Sequence, residues 1–262
     1  MTAPPPAALV LVAAGVGSRM AGPVHKALLE IDGRSLVEHA LATFLPCAWL
    51  DPVVLVGHRD DRPALEDLCA RQPRPVVHVD GGARRQDSVT AGVAAAGAAG
   101  DGPDVVLVHD VARPFPPLDR LPALADAARE AGASLLAVPV ADTLKEVPAG
   151  DGSGGSGGPV VGRTVPREGL WAAQTPQAFR RAELLELLGQ AEQAGTTVTD
   201  EAGLFEAAGR AVRIVEGSRL GFKVTHPADL ELADAVARAR RSAAGAAADD
   251  VSRRADDPGD RS

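Results

Sequence analysis

The stretch ALVLVAAGVGSRMAGPVHKALLEI, residues 8–31, decides the fold. An apolar, β-branched run ends in Ala13-Ala14-Gly15-Val16-Gly17-Ser18-Arg19, and Lys26 follows. Glycines let backbone N–H groups turn inward, and small neighbours leave room for a phosphate chain. Arg19 and Lys26 supply positive charge beside that chain. Two common phosphate loops do not fit. A Walker loop needs Gly-Lys-Ser/Thr, but Ser18-Arg19 follow Gly17. A dinucleotide fingerprint needs a third glycine where Met20 stands and an acidic residue where Gly57-His58 end the second apolar run.

Working outward, further apolar runs at 52–56, 75–79, 105–108 and 135–140 alternate with helical periodicity over 35–45, 63–71, 87–96 and 121–130. This alternation predicts an α/β fold, a Rossmann-like, mostly parallel sheet flanked by helices. Helices are also predicted over 181–194 and 228–241, the second opening after His226-Pro227. The rhythm breaks at residues 151–158, DGSGGSGG, whose flanks read either as a two-stranded arm or as the ends of an inserted surface loop. Residues 1–7 and 242–262 read as disordered tails around one domain spanning 8–241, because neither carries an apolar period.

Composition narrows the class. The formal net charge of −8 argues against nucleic-acid and acidic-membrane partners, which call for a basic surface. No apolar run approaches the roughly 20 residues needed to cross a bilayer. Two cysteines, Cys47 and Cys69, lack metal-ligand spacing and point to a reduced, cytoplasmic setting. The chain has only three lysines, Lys26, Lys145 and Lys223, among 27 cationic residues. Where arginine serves so generally, a retained lysine marks a place for a compact ammonium.

The motifs carry a resemblance. The first loop is similar to the AAGxGxRM loop of nucleotidyltransferases that activate sugars and sugar alcohols. GGARRQDSV (81–89), HDVARP (109–114), PVADTLK (139–145), AAQTPQAF (172–179), TDEA (199–202) and FKVTHPADL (222–230) follow in order. Together these seven pieces resemble the 2-C-methyl-D-erythritol 4-phosphate cytidylyltransferase family over residues 8–238. Three positions depart from its usual pattern: His25 stands where proline commonly precedes the lysine, Ala83 where an acidic residue is common, and Gly221 where asparagine is common.

The resemblance implies a nucleotidyltransferase-type sheet with an extended β-arm, at about 142–168, that reaches across a homodimer. It implies transfer of a cytidylyl group from CTP to methylerythritol phosphate, with Mg²⁺ as cofactor. Arg19, Lys26 and Lys223 are the implied catalytic cations. Ala13, Ala14, Gly15, Gly17, Gly82 and Ser88 would receive the nucleotide in a slot too narrow for a purine. Asp110, Arg113, Asp142, Thr143, Arg167 and Thr175 would bind the acceptor, with Thr143 and Arg167 supplied by the partner chain and Asp110 also holding the metal. His109 reads as structural, since a phosphate nucleophile needs no proton shuttle. Ribitol 5-phosphate as the acceptor, and a silent nucleotide-binding protein, are the alternative readings.

Overall fold

The computed structural model describes residues 4–15, 25–98, 102–148 and 158–255, of which 244–255 as backbone only. Its centre is a seven-stranded sheet. The strands are β1 (Ala7–Val12), β4 (Leu50–Gly57), β5 (Val76–Asp80), β6 (Val105–Asp110), β7 (Ala133–Pro139), β10 (Trp171–Arg180) and β11 (Val212–Glu216). A short pair, β2 (Glu30–Ile31) with β3 (Arg34–Ser35), and a separate hairpin, β8 (Leu144–Glu146) with β9 (Arg163–Val165), complete the set among the described residues. The order across the large sheet is β11-β7-β10-β6-β1-β4-β5, and only β10 runs antiparallel to its neighbours.

Strand β1 lies in the interior of the sheet, between β6 and β4, and every residue in it is buried. Leu9 and Leu11 face a layer formed by α1 (Leu36–Phe44), α2 (Arg62–Ala70) and α4 (Leu121–Ala131). Ala8, Val10 and Val12 face the opposite layer, formed by α3 (Arg85–Ala95), α5 (Arg181–Gln193) and α6 (Ala202–Ala207), where Phe179 stacks on Phe205. Covered on both faces, a parallel strand reads as a continuous hydrophobic run rather than an alternating one. Helix α1 starts with a capping box in which Ser35 N–H donates to Glu38 Oε2 at 2.8 Å and Glu38 N–H donates to Ser35 Oγ at 3.3 Å. Its loss on Ser35→Ala costs about 1 kcal/mol.

The structure differs from the sequence reading at both ends. Ala7 already belongs to β1, and the carbonyls of Pro5 and Pro6 accept hydrogen bonds from Arg129 at 2.9 and 3.1 Å, so the predicted tail 1–7 is too long. The last helix, α7 (Pro227–Ala255), continues past residue 241 into the predicted tail 242–262. Alanine-rich chain sustains a helix by propensity alone, without an apolar stripe. Two strands of the main sheet are absent from the sequence reading. Strand β10 carries Gln174-Thr175-Pro176-Gln177, and the ladder to β7 breaks between Ala173 and Gln177. Strand β11 is a short edge strand.

Hairpin β8–β9 decides the question left open by the glycine-rich segment. Its flanks pair in register, Leu144 with Val165 and Glu146 with Arg163. They form an arm apart from the main sheet. Among the described residues no helix is long and apolar enough to cross a membrane.

Candidate active site

Strands β1, β4, β5 and β6 end at one side of the sheet, where parallel α/β folds place their ligands. A cavity of about 400 Å³ opens there. The loop after β1 forms one wall with Ala13, Ala14 and Gly15, and another is formed by Gly82, in the loop between β5 and α3, with Ser88 in the first turns of α3. These loops touch. A side-chain carbon at Gly81 would stand 2.3 Å from Ala14 Cβ, so the approach requires glycine. Ser88 Oγ fixes the second loop by accepting from Gly82 N–H at 3.1 Å and donating to the Arg84 carbonyl at 3.2 Å. Lys26 begins a single 3₁₀ turn, Lys26–Leu28, and lines the same cavity.

The floor is ionic. Asp110, at the end of β6, accepts from Arg85 Nε and Nη2 on Oδ1 at 3.1 and 2.9 Å, and from Lys223 Nζ on Oδ2 at 2.6 Å. Burial alone would raise its pKa, but the charges of Arg85 and Lys223 win and hold the carboxyl well below the usual carboxylate range. Arg85 reaches on to Glu201, with Nη1 at 2.6 and 2.8 Å from the two carboxylate oxygens. Burial of Glu201 outweighs that contact and raises its pKa.

Lys223 is aimed from behind. Val224 N–H donates to the Ala112 carbonyl at 2.8 Å. Asp229 Oδ2 accepts from Thr225 N–H, Thr225 Oγ1 and His226 N–H at 2.7–2.8 Å, capping α7. Upstream, buried Gln174 holds the loop through Nε2–H to the Ser218 carbonyl at 2.8 Å. A side-chain carbon at Gly221 would lie 2.9 Å from Gln174 Oε1, so a larger residue at this position requires the end of the Gln174 side chain to shift.

A second cavity, about 150 Å³, lies beyond this floor and is lined by Arg113, Gln174, Thr175, Gln177 and Asp200. Arg85, Asp110 and Lys223 line both cavities. Thr175 Oγ1 accepts from Asp110 N–H at 3.1 Å and bonds His109 Nδ1 at 3.0 Å, while His109 Nε2 lies 3.0 Å from the Arg113 carbonyl. Burial drives the His109 pKa down to about 4, so the ring is neutral and structural. Arg113 donates to the Gly221 and Ala173 carbonyls at 2.8 and 3.2 Å, and its Nε is buried without a partner among the described residues.

The structure thus brings Ala13, Ala14, Gly15, Lys26, Gly82, Ser88, Asp110 and Lys223 around the larger cavity, and Arg113 and Thr175 around the smaller one. Gly17 and Arg19 lie outside the described residues. Asp142, Thr143 and Arg167 stand exposed at the base of the arm and line neither cavity; Arg167 donates to the Ala141 carbonyl. Arg85 and Glu201 have no role in the sequence reading. Both lie inside quoted motifs, and their signal was an arginine and an acid with no other task.

Known proteins resemble this chain along most of its length. The family model described as 2-C-methyl-D-erythritol 4-phosphate cytidylyltransferase matches residues 7–239. A protein of that name from Deinococcus radiodurans is 43% identical over 237 residues, covering 90% of this chain and 91% of its own. One from Geobacillus thermodenitrificans is 38% identical over 233 residues, covering 88% and 96%. The crystal structure of the enzyme of that name from Thermus thermophilus is 35% identical with a TM-score of 0.69, covering 88% of this chain and 99% of its own.

Proposed function

The chain belongs to the 2-C-methyl-D-erythritol 4-phosphate cytidylyltransferase family, and from that premise we propose how its site carries out the family's reaction in isoprenoid biosynthesis. A cytidylyl group passes from CTP to 2-C-methyl-D-erythritol 4-phosphate, giving 4-diphosphocytidyl-2-C-methyl-D-erythritol and pyrophosphate. An oxygen of the acceptor phosphate bonds to the α-phosphorus of CTP as the bond to the bridging α–β oxygen breaks, and that oxygen's electron pair leaves with pyrophosphate. The acceptor phosphate is already ionised at neutral pH. No side chain has to remove a proton, and the work of the site is positioning and charge neutralisation.

The observation that carries this reading is the shared wall: Arg85, Asp110 and Lys223 border both the larger and the smaller cavity. We assign the larger cavity to CTP. Ala13, Ala14, Gly15, Gly82 and Ser88 surround the nucleoside, with Gly17 following on the same loop, and Lys26 and Arg19 hold the triphosphate. Small residues keep the slot narrow, which favours a pyrimidine. The smaller cavity takes the acceptor phosphate against Arg113 and Thr175. Lys223 lies at the junction, where its ammonium exchanges Asp110 for the α-phosphate as charge develops.

Mg²⁺ fits this site. A hard cation is commonly held by one or two carboxylates plus substrate phosphates. Asp110 Oδ2 carries a single hydrogen bond, from Lys223, and so retains acceptor capacity. The cation supplies neutralisation of the triphosphate when bound.

The arm, about 142–168 within a catalytic unit of 8–241, is assigned to a cytoplasmic homodimer. Val160 and Val161 on it are 64% and 53% exposed, an apolar surface suited to a second copy. In the dimer, Thr143 and Arg167 enter the partner's acceptor cavity and Asp142 faces the acceptor. The test of the reaction is pyrophosphate release with CTP, UTP, ATP and GTP against methylerythritol phosphate and ribitol 5-phosphate. Release with CTP and methylerythritol phosphate is expected. Preference for ribitol 5-phosphate, or no release from any pair, contradicts the assignment.

A further inference from the structure

Beside the nucleotide cavity, the turn that follows β4 meets His25, the residue before Lys26. The contact is made by histidines. The rings of His25 and His58 lie with centroids 4.2 Å apart, and one ligand atom from each, with a carboxylate oxygen of Asp60, falls within 4.8 Å of the others. This is the cluster of at least three metal-ligating side chains found among the described residues.

Several features go beyond proximity. His25 Nδ1 lies 2.7 Å from Asp61 Oδ2. An ionised carboxylate only accepts, so Nδ1 carries the proton and Nε2 presents its lone pair. A carboxylate that orients a histidine in this way is the usual outer partner of a metal-bound imidazole. His58 Nδ1 and Asp60 Oδ2 stand 3.5 Å apart. Two ligands each about 2.1 Å from a tetrahedral ion lie about 3.4 Å apart, so this edge is already at coordination length. Among the described residues His58 Nδ1 accepts a hydrogen bond from Asp60 N–H at 3.3 Å, a weak bond that a cation displaces. The side chain of Asp60 is 70% exposed and free to swing the remaining distance, and those of His25 and His58 are 22% and 26% exposed, open to an ion from solvent. Of the nearby cations, Arg62 is already committed to Asp80 at 2.5 Å and Glu66 at 3.3 Å.

We propose that His25, His58 and Asp60 form a binding site for one divalent cation of the borderline class typified by Zn²⁺, with Asp61 as the outer partner that orients His25. Two imidazoles and a carboxylate suit Zn²⁺ and its neighbours rather than Mg²⁺, which prefers oxygen. Three protein ligands leave a fourth position open. Occupancy ties His25, at the start of the Lys26–Leu28 turn, to the end of β4, at the wall of the nucleotide cavity that His58 helps form. The site is separate from the Mg²⁺ position at Asp110 and does not depend on the reaction assigned above.

The test uses the full chain, stripped with chelator, desalted, and titrated with Zn²⁺ alone, without nucleotide or Mg²⁺. Binding is followed by calorimetry and by the visible spectrum of the Co²⁺ form. One equivalent is expected, with tetrahedral Co²⁺ bands and a higher melting temperature on Zn²⁺ addition. His25→Pro removes the imidazole while the backbone, at φ −63°, already suits proline. His25→Pro and His58→Ala should each weaken binding at least about tenfold, and Asp61→Asn by about 10- to 100-fold. Circular dichroism and melting of the metal-free variants establish that they are folded. Absence of saturable binding by the wild type overturns the proposal, as does binding that His25→Pro and His58→Ala leave unchanged.

Discussion

Arg85 Nη1 stands 2.6 and 2.8 Å from the two carboxylate oxygens of Glu201, a side chain that is 1% exposed. Glu201 touches neither cavity, yet it fixes the guanidinium that faces Asp110 in both. Removing one partner of a buried ion pair costs about 3–5 kcal/mol, so Glu201→Ala should be strongly destabilised in urea. Glu201→Gln keeps the shape and one acceptor. It should fold, with kcat/KM lowered by up to about a hundredfold through misplacement of Arg85. Wild-type turnover in Glu201→Gln would show that Arg85 needs no such support.

His109 sets a pH dependence of stability. Its pKa is lowered from 6.5 to about 4 by burial, so the unfolded chain takes up a proton before the folded one does. This contribution is fully present above about pH 6.5 and is lost as pH falls toward 4. Its size is on the order of 3 kcal/mol. Urea unfolding of the wild type and of His109→Gln, compared at pH 7 and pH 4.5, should show the wild type losing more stability on acidification. Parallel losses would contradict a neutral, buried His109.

Much of the site is legible in the sequence because local chemistry dictates it. Ala13, Ala14 and Gly15 follow a wholly apolar strand, and only a parallel strand covered on both faces accounts for that run. Lys223 is visible as one of few lysines in an arginine-rich chain. Arg85 and Glu201 are hidden for the opposite reason: their role exists only as a pair, across 116 positions of sequence. Strand β10 is obscured by the polar Gln-Thr-Pro-Gln segment, which the fold uses to turn side chains toward the second cavity. The length of α7 is misread because alanine carries helix propensity without an apolar period. The arm residues Asp142, Thr143 and Arg167 sit exposed at the base of the hairpin and line neither cavity, so no contact within the chain reveals what they do.

Metal removal should abolish turnover. If the triphosphate lies beside Asp110 as proposed, the cations assigned to it, Lys26, Lys223 and Arg19, neutralise it only in part. Pyrophosphate release in excess EDTA should fall to background and return with Mg²⁺. Undiminished release in EDTA would remove the metal from the account.

If the arm delivers Thr143 and Arg167 to a partner, each site is a composite of two chains related by a two-fold axis. A Lys26→Ala chain paired with an Arg167→Ala chain then carries one site with both defects and one with neither. With equal amounts and random exchange about half the dimers are mixed, so activity should recover to roughly a quarter of wild type. The variants are co-expressed or refolded together, and mixed dimers are confirmed by mass spectrometry. Mixed dimers with no gain over the separate variants would show that Arg167 serves its own chain or only the arm.

The central claim is that charge placed at the junction of the two cavities, rather than proton transfer, carries the reaction. Lys223, 2.6 Å from Asp110 and bordering both cavities, tests it most directly. In Lys223→Ala, single-turnover formation of the cytidylylated product should slow by at least about a hundredfold, the scale of losing one charge-stabilising donor. CTP affinity should change far less. A folded Lys223→Ala protein that turns over at the wild-type rate, or one that loses only CTP affinity, would contradict the account.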